Sequence, residues 1–154
     1  MQNKTLEALK IVGIAVKTSN ENGQAAKDIP EIWNRFITED ILNKIPNKLS
    51  TDIYSIYTNY EGNYMNPYTT ILGCKVSSFD NLPEGFVTKT IDIGNYMKFT
   101  TKGNLQDNIV YNQWVNIWEM EKDMNRAYIA DFEIYGDKAK DMSNAEVDIF
   151  VSVK

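Results

Sequence analysis

Histidine is missing from all 154 residues. With it go Ser-His-Asp and Cys-His catalysis, His-ligated metals and the commonest general base near neutral pH. A single cysteine, Cys74, rules out an internal disulfide and a thiolate zinc cage. The eight glycines are scattered singly, so no loop is built to cradle phosphate, and no group of carboxylates has the spacing of a calcium loop. No cofactor or metal is therefore expected. Basic charge is scarce as well: 16 Lys and Arg stand against 21 Asp and Glu, a net charge of −5. An acidic chain without a basic run is a poor match for a phosphate backbone, which argues against direct DNA or RNA binding. No apolar run approaches membrane-spanning length. Ile11–Val16, between Lys10 and Lys17, is too short for the core of a signal peptide, so a cytoplasmic location is expected.

What is present suits one packed domain. Hydrophobic residues make up 43% and charged residues 24%, the balance of a globule and not of a disordered chain. Ala8–Thr18 reads as a buried strand, rich in β-branched residues and followed by a Ser-Asn-Glu-Asn-Gly loop. A helix is predicted to start at Asp28, with Glu31 completing a capping box and Pro30 in the first turn. Ile29, Ile32, Trp33, Phe36, Ile37, Ile41 and Ile45 recur at helical spacing until Pro46. Strands are predicted over Asp52–Asn59 and Thr69–Ser77, joined by a loop rich in Gly, Asn and Tyr. The second half repeats the order, with a long strand or bent hairpin over Phe86–Thr101 and a helix over about Asp107–Met124. Strands over Asp131–Tyr135 and Glu146–Val153 complete it.

A shift of 79 residues lays Asp28 on Asp107 and Asp52 on Asp131. Each half is thus a β-α-β-β unit, about 8–79 and 86–154. A three-stranded sheet with one helix buries little alone, whereas two can share one sheet and core. The expected fold is α+β: tandem βαββ modules with pseudo-twofold symmetry, one antiparallel sheet, two main helices and a cleft between the halves, all within a single domain spanning 1–154.

Three Trp, nine Tyr and six Phe are a heavy aromatic load for this length. The excess of Tyr over Phe points to walls that are half apolar and half wet, because each hydroxyl needs a partner. Tyr54, Tyr57, Tyr68 and Tyr135 are candidates for such a wall, with Trp33, Trp114 and Trp118 from the helices. Trp114 and Trp118 stand four residues apart, one above the other on a helix face. Glu133 is singled out because it interrupts an apolar strand and shares a face with Tyr135. The 79-residue shift makes Tyr54 its counterpart (133−79). A carboxylate among rings is costly when empty and favours a cation when filled. Facing rings would add roughly 0.5–2 kcal/mol each.

The chain resembles the GyrI-like effector-binding domains, which occur alone and as ligand-sensing domains of AraC-type and MerR-type transcription regulators. The resemblance is carried by Ile29-Pro30-Glu31-Ile32-Trp33, by Leu82-Pro83-Glu84-Gly85-Phe86 leading into Ile91–Phe99, by Trp114–Trp118 and by Phe132-Glu133-Ile134-Tyr135. It implies the tandem βαββ fold and a groove for cationic, aromatic or amphipathic small molecules. It also implies an acid on the strand after the second helix that meets bound cations, here at Glu133.

The function expected is stand-alone binding of a lipophilic cation, with a role in transcription regulation or drug sequestration. No helix-turn-helix is legible at either end, so regulation would act through a separate protein partner. The alternatives are a small-molecule hydrolase using Glu133, or a protein that interacts with gyrase or a regulator. Binding is favoured over turnover because no second carboxylate or activated nucleophile pairs with Glu133 in the sequence.

Overall fold

Strand alternation divides the hydrophobic residues between two faces of one sheet. In β2 (Leu9–Thr18), Leu9 and Ile11 join one apolar cluster while Val12 and Ile14 join another. The same split recurs in β3 (Ile53–Thr58), β4 (Tyr68–Lys75), β7 (Ala130–Tyr135) and β8 (Ala145–Val153). With β1 (Gln2–Leu6), β5 (Val87–Ile91) and β6 (Gly94–Gly103) they form an eight-stranded antiparallel sheet, ordered β1-β6-β8-β7-β3-β4-β2-β5. The computed structural model describes residues 2–154.

The helices lie on one face. Helix α1 (Gln24–Thr38) and the short α2 (Ile41–Lys44) set Ile32, Phe36, Ile41 and Ile45 on Val12, Leu72 and Cys74. Helix α3 (Ile109–Glu119) and the short α4 (Glu121–Met124) set Trp114, Ile117 and Met124 on Phe99, Val147, Ile149 and Val151. Each such buried side chain contributes roughly 1.5–3 kcal/mol. The opposite face carries no helix. Its core of Ile11, Tyr54, Ile56, Ile71, Tyr96, Phe132 and Phe150 takes in Leu6 of β1 and Val87 and Ile91 of β5, the two edge strands. β1 leaves β2 after two residues to pair with β6, and β5 leaves β6 after two residues to pair with β2. Each half thus lends its leading strand to the outer edge of the other. Gly13 and Gly73 pair where β2 and β4 approach most tightly, and a Cβ on either would strike the facing strand's carbonyl oxygen at 2.1 Å.

The fold class is the predicted one. The strands of the two halves meet at β3 and β7 in the centre of the sheet. Several local expectations change. The first helix starts at Gln24, not Asp28, entered through Gly23 in the left-handed region (φ 70°). Asp28 does not cap it, and instead accepts a hydrogen bond from Gln24. Its start moves because Ser19 already supplies a carbonyl for the Ala25 N–H, so the turn begins a full turn earlier. Asp40 (φ 53°) breaks the apolar-periodic segment into α1 and α2 and leaves Ile37 on the surface. Asp107 lies in a 3-10 turn before α3, which is entered through Asn108 (φ 56°). Phe86–Thr101 forms two strands that pair with different neighbours and not with each other.

Candidate functional site

β3 and β7 pair with Ser55 opposite Glu133 and Tyr57 opposite Asp131. Alternation therefore turns Ser55, Tyr57, Asp131, Glu133 and Tyr135 toward the helices, and Tyr54, Phe132 and Ile134 away from them. The two main helices flank this central strip, one over each half. Between them is a cavity of about 480 Å³. Its walls are Ala25, Ala26, Ile29, Pro30 and Trp33 of α1, and Val110, Tyr111, Trp114 and Trp118 of α3. Its floor is Tyr57, Tyr68, Glu133 and Tyr135, with Tyr60 and Tyr64 closing one side from the β3–β4 loop. A smaller hollow at the sheet edge, lined by Asn3, Lys4, Thr5 and Asn95, offers neither a buried acid nor a wall of rings.

Glu133 is 2% exposed. Its Oε2 accepts hydrogen bonds from the Tyr57 hydroxyl and the Trp114 indole N–H, both at 2.7 Å, and its Oε1 accepts from the Tyr135 hydroxyl at 2.6 Å. All three donors are neutral. Among the described residues no ion pair includes it. Burial lifts the Glu133 carboxyl above the ordinary glutamate range, and the three hydrogen bonds pull partly back. Burial and the adjoining carboxylate push the Tyr57 and Tyr135 hydroxyls well above the usual tyrosine value. Burial likewise raises Tyr68, to about 12. These hydroxyls thus remain protonated donors at any physiological pH.

Rings surround the acid in mutual contact. Tyr57 meets Trp114 edge to face at 5.6 Å and Tyr68 at 5.9 Å, and Trp33 meets Tyr135 at 4.9 Å. Tyr64 lies flat on Trp118 at 5.2 Å, held by Asn20, whose side-chain amide donates to the Tyr64 carbonyl and accepts from the Tyr68 hydroxyl. Pro30 sits inside α1 and cannot donate to the Ala26 carbonyl, so a helical acceptor is freed where both residues line the cavity.

Two residues before Glu133 is a second buried acid with a different shell. Asp131 is fully buried and receives Arg126 Nη2 and the Tyr60 hydroxyl on Oδ2, each at 2.5 Å. The Ser152 N–H and hydroxyl donate to Oδ1 at 2.7 and 3.1 Å. Arg126 in turn packs its guanidinium carbon 4.2 Å from the Tyr128 ring centroid.

Of the residues singled out from the sequence, Glu133, Tyr135, Tyr57, Tyr68, Trp33, Trp114 and Trp118 come together around the cavity. Tyr54 does not. It is 8% exposed in the helix-free core, with its ring 5.8 Å from Phe132. The 79-residue shift made it the counterpart of Glu133 in the first half. The true register partner is Ser55, 78 residues earlier (133−55), and one residue of slip reverses a strand's face. The sequence reading missed the Asp131–Arg126 pair. The usable signal was the Asp131/Glu133 alternation just after Arg126, one of only two arginines in the chain.

Residues 4–153 match the Cass2 family, described as integron-associated effector binding proteins. The chain belongs to that family. Its fold is the Cass2/GyrI-like effector-binding fold. Bacillus subtilis (strain 168) YobU, whose name assigns it provisionally to the transcriptional regulators, is 27% identical over 152 residues, covering 97% of this chain and 94% of its own. The integron cassette protein Cass2 of Vibrio cholerae superposes with a TM-score of 0.75 at 26% identity, over 99% of this chain and 95% of that one. SAV2435, solved bound to tetraphenylphosphonium, superposes with a TM-score of 0.77 over 99% of this chain and 93% of that one. Its identity of 20% makes this a likeness of fold alone. No helix among the described residues is long and apolar enough to cross a membrane.

Proposed function

We propose that this protein is an effector-binding protein whose cavity takes a bulky, lipophilic organic monocation, with Glu133 as its counter-ion. One observation carries the reading: a carboxylate buried at the floor of an aromatic cavity, satisfied by neutral donors and without an ion-pair partner among the described residues. Burying an ion without a counter-charge is expensive, and a cation entering the cavity would offset that cost. Ring faces and edges admit cations of varied shape, so the site selects charge and bulk before outline. The cavity is within the usual size range for small-molecule sites. The tetraphenylphosphonium bound by SAV2435 on the same fold is a molecule of this class, and the kinship with YobU supports a sensing role in regulation. Passive binding is favoured over turnover because three donors already hold Glu133 in place and the nearby Asp131 is committed to Arg126.

The test is a titration with tetraphenylphosphonium and with neutral triphenylphosphine oxide, followed by tryptophan fluorescence. Glu133→Gln should weaken the cation at least tenfold and leave the neutral compound within about twofold, a gap of about 1.4 kcal/mol or more. Equal losses for both compounds would remove Glu133 from the role of counter-ion.

A further inference from the structure

The cavity wall has one acidic residue, Glu133, and one basic residue, Arg126, among the described residues. Arg126 is 5% exposed, and its only ion-pair partner among the described residues is Asp131, fully buried on the same face of β7 two residues before Glu133. Two successive same-face positions on a strand are separated by roughly 7 Å. The central strip therefore contains two carboxylates, and Arg126 cancels one of them.

We infer that Arg126 is a specificity-determining residue that fixes the ligand's charge at plus one. This rests on the reading of Glu133 as counter-ion. With Arg126 in place, the net charge of Asp131, Arg126 and Glu133 is −1, and only Glu133 is left for the ligand. A second positive charge on the ligand would face the guanidinium. Without the guanidinium, Asp131 becomes an uncompensated acid behind Tyr60, at a distance from Glu133 that suits a compact dication. At that spacing and an effective dielectric constant near 20, one unit charge changes binding by roughly 50-fold, and by about tenfold after screening.

The decisive pair of probes has one shape and two charges: N-methyl-4-phenylpyridinium, a monocation, and methyl viologen, its dicationic analogue. Their affinities are measured by calorimetry at pH 8 on the whole protein, with neutral 4-phenylpyridine as control. The wild type should bind the monocation more tightly than the dication. Arg126→Gln should shift the ratio toward methyl viologen by at least about tenfold, and the double variant R126Q/D131N should return it to the wild-type value. A merely structural Arg126 would weaken both probes alike and would not be reversed by the second substitution. A folded R126Q with an unchanged ratio, or a wild type that prefers methyl viologen, overturns the inference. Should R126Q fail to fold, Asp131→Asn, which leaves the guanidinium without its acid, should widen the wild-type preference for the monocation, and a folded D131N with an unchanged ratio overturns the inference. Loss of discrimination between phenylpyridinium and 4-phenylpyridine would instead overturn the counter-ion reading itself.

Discussion

Asp131 and Glu133 are two residues apart on one face of one strand, and both are shut off from bulk water. Their surroundings nevertheless give them different work. Asp131 has four donors, one of them the Arg126 guanidinium, and the ion pair ties β7 to the segment after α4 and to β8 through Ser152. Glu133 has three donors and no ion-pair partner among the described residues, and it faces a cavity. A buried acid with its counter-charge inside the chain belongs to the folded state. One without it keeps a buried charge that the chain does not balance. The difference separates structure from binding more sharply than residue type or burial alone.

Substitution at each acid tests the contrast, and the largest effect is expected at Asp131. Asp131→Asn strands Arg126 in the interior, and urea denaturation should report a loss of about 3–5 kcal/mol. Glu133→Gln should alter the unfolding free energy by less than about 1.5 kcal/mol, because hydrogen-bonded groups are exchanged and no opposite charge is stranded. Should the two variants lose equal stability, the contrast between the acids fails.

A second expectation concerns pH. Burial raises Glu133, so folding without ligand favours the protonated form relative to the unfolded chain, and that contribution to stability is lost as pH rises through the raised value. A bound cation favours the ionised form. Affinity for tetraphenylphosphonium should therefore climb with pH across that window and level off above it, a profile that E133Q should flatten. Calorimetry in buffers of different ionisation heat would detect the proton released on binding. A cation affinity independent of pH from 4 upward to about 8, well past the ordinary carboxylate range, would contradict the raised value.

Tyr57→Phe is smaller in effect and sharper in meaning. It removes one of three donors to Glu133, so stability should fall by about 0.5–1.5 kcal/mol and the pH midpoint for cation binding should move upward. A midpoint that moves down would mean that the hydroxyl does not stabilise the ionised form. Smallest of all, Trp118→Phe keeps a ring beside Tyr64 and should cost the cation no more than about 1 kcal/mol. A larger loss, measured by calorimetry, would move the main contact from the floor to the rim of the cavity.

The repeat was legible because each half needs the same apolar periodicity to cover the same kind of sheet. Ile32 and Phe36 read as one buried helix face from the sequence alone, and they are buried. Glu133 was legible as an anomaly in an apolar strand, and its neighbours Tyr57 and Trp114 only as members of an aromatic-rich set. The helix starts were not legible. Gly23 and Asn108 open the helices through left-handed turns, while Asp28 and Asp107 offered a more familiar cap in the wrong place. β1 was also not legible, since four of its five residues are exposed, leaving no hydrophobic pattern to read.

The linear chain by itself determined that this protein has strands with two distinct faces, two amphipathic helices and one acid out of place, since those follow from the period of side chains along a backbone. Tertiary structure decided which acid has a counter-charge among the described residues and which has none. Register across β3 and β7 sets Ser55, not Tyr54, against Glu133, and the turn after α4 brings Arg126 to Asp131. Charge compensation at a few ångströms depends on distances between residues that pair only once the strands are aligned, and no periodicity within a single strand contains them.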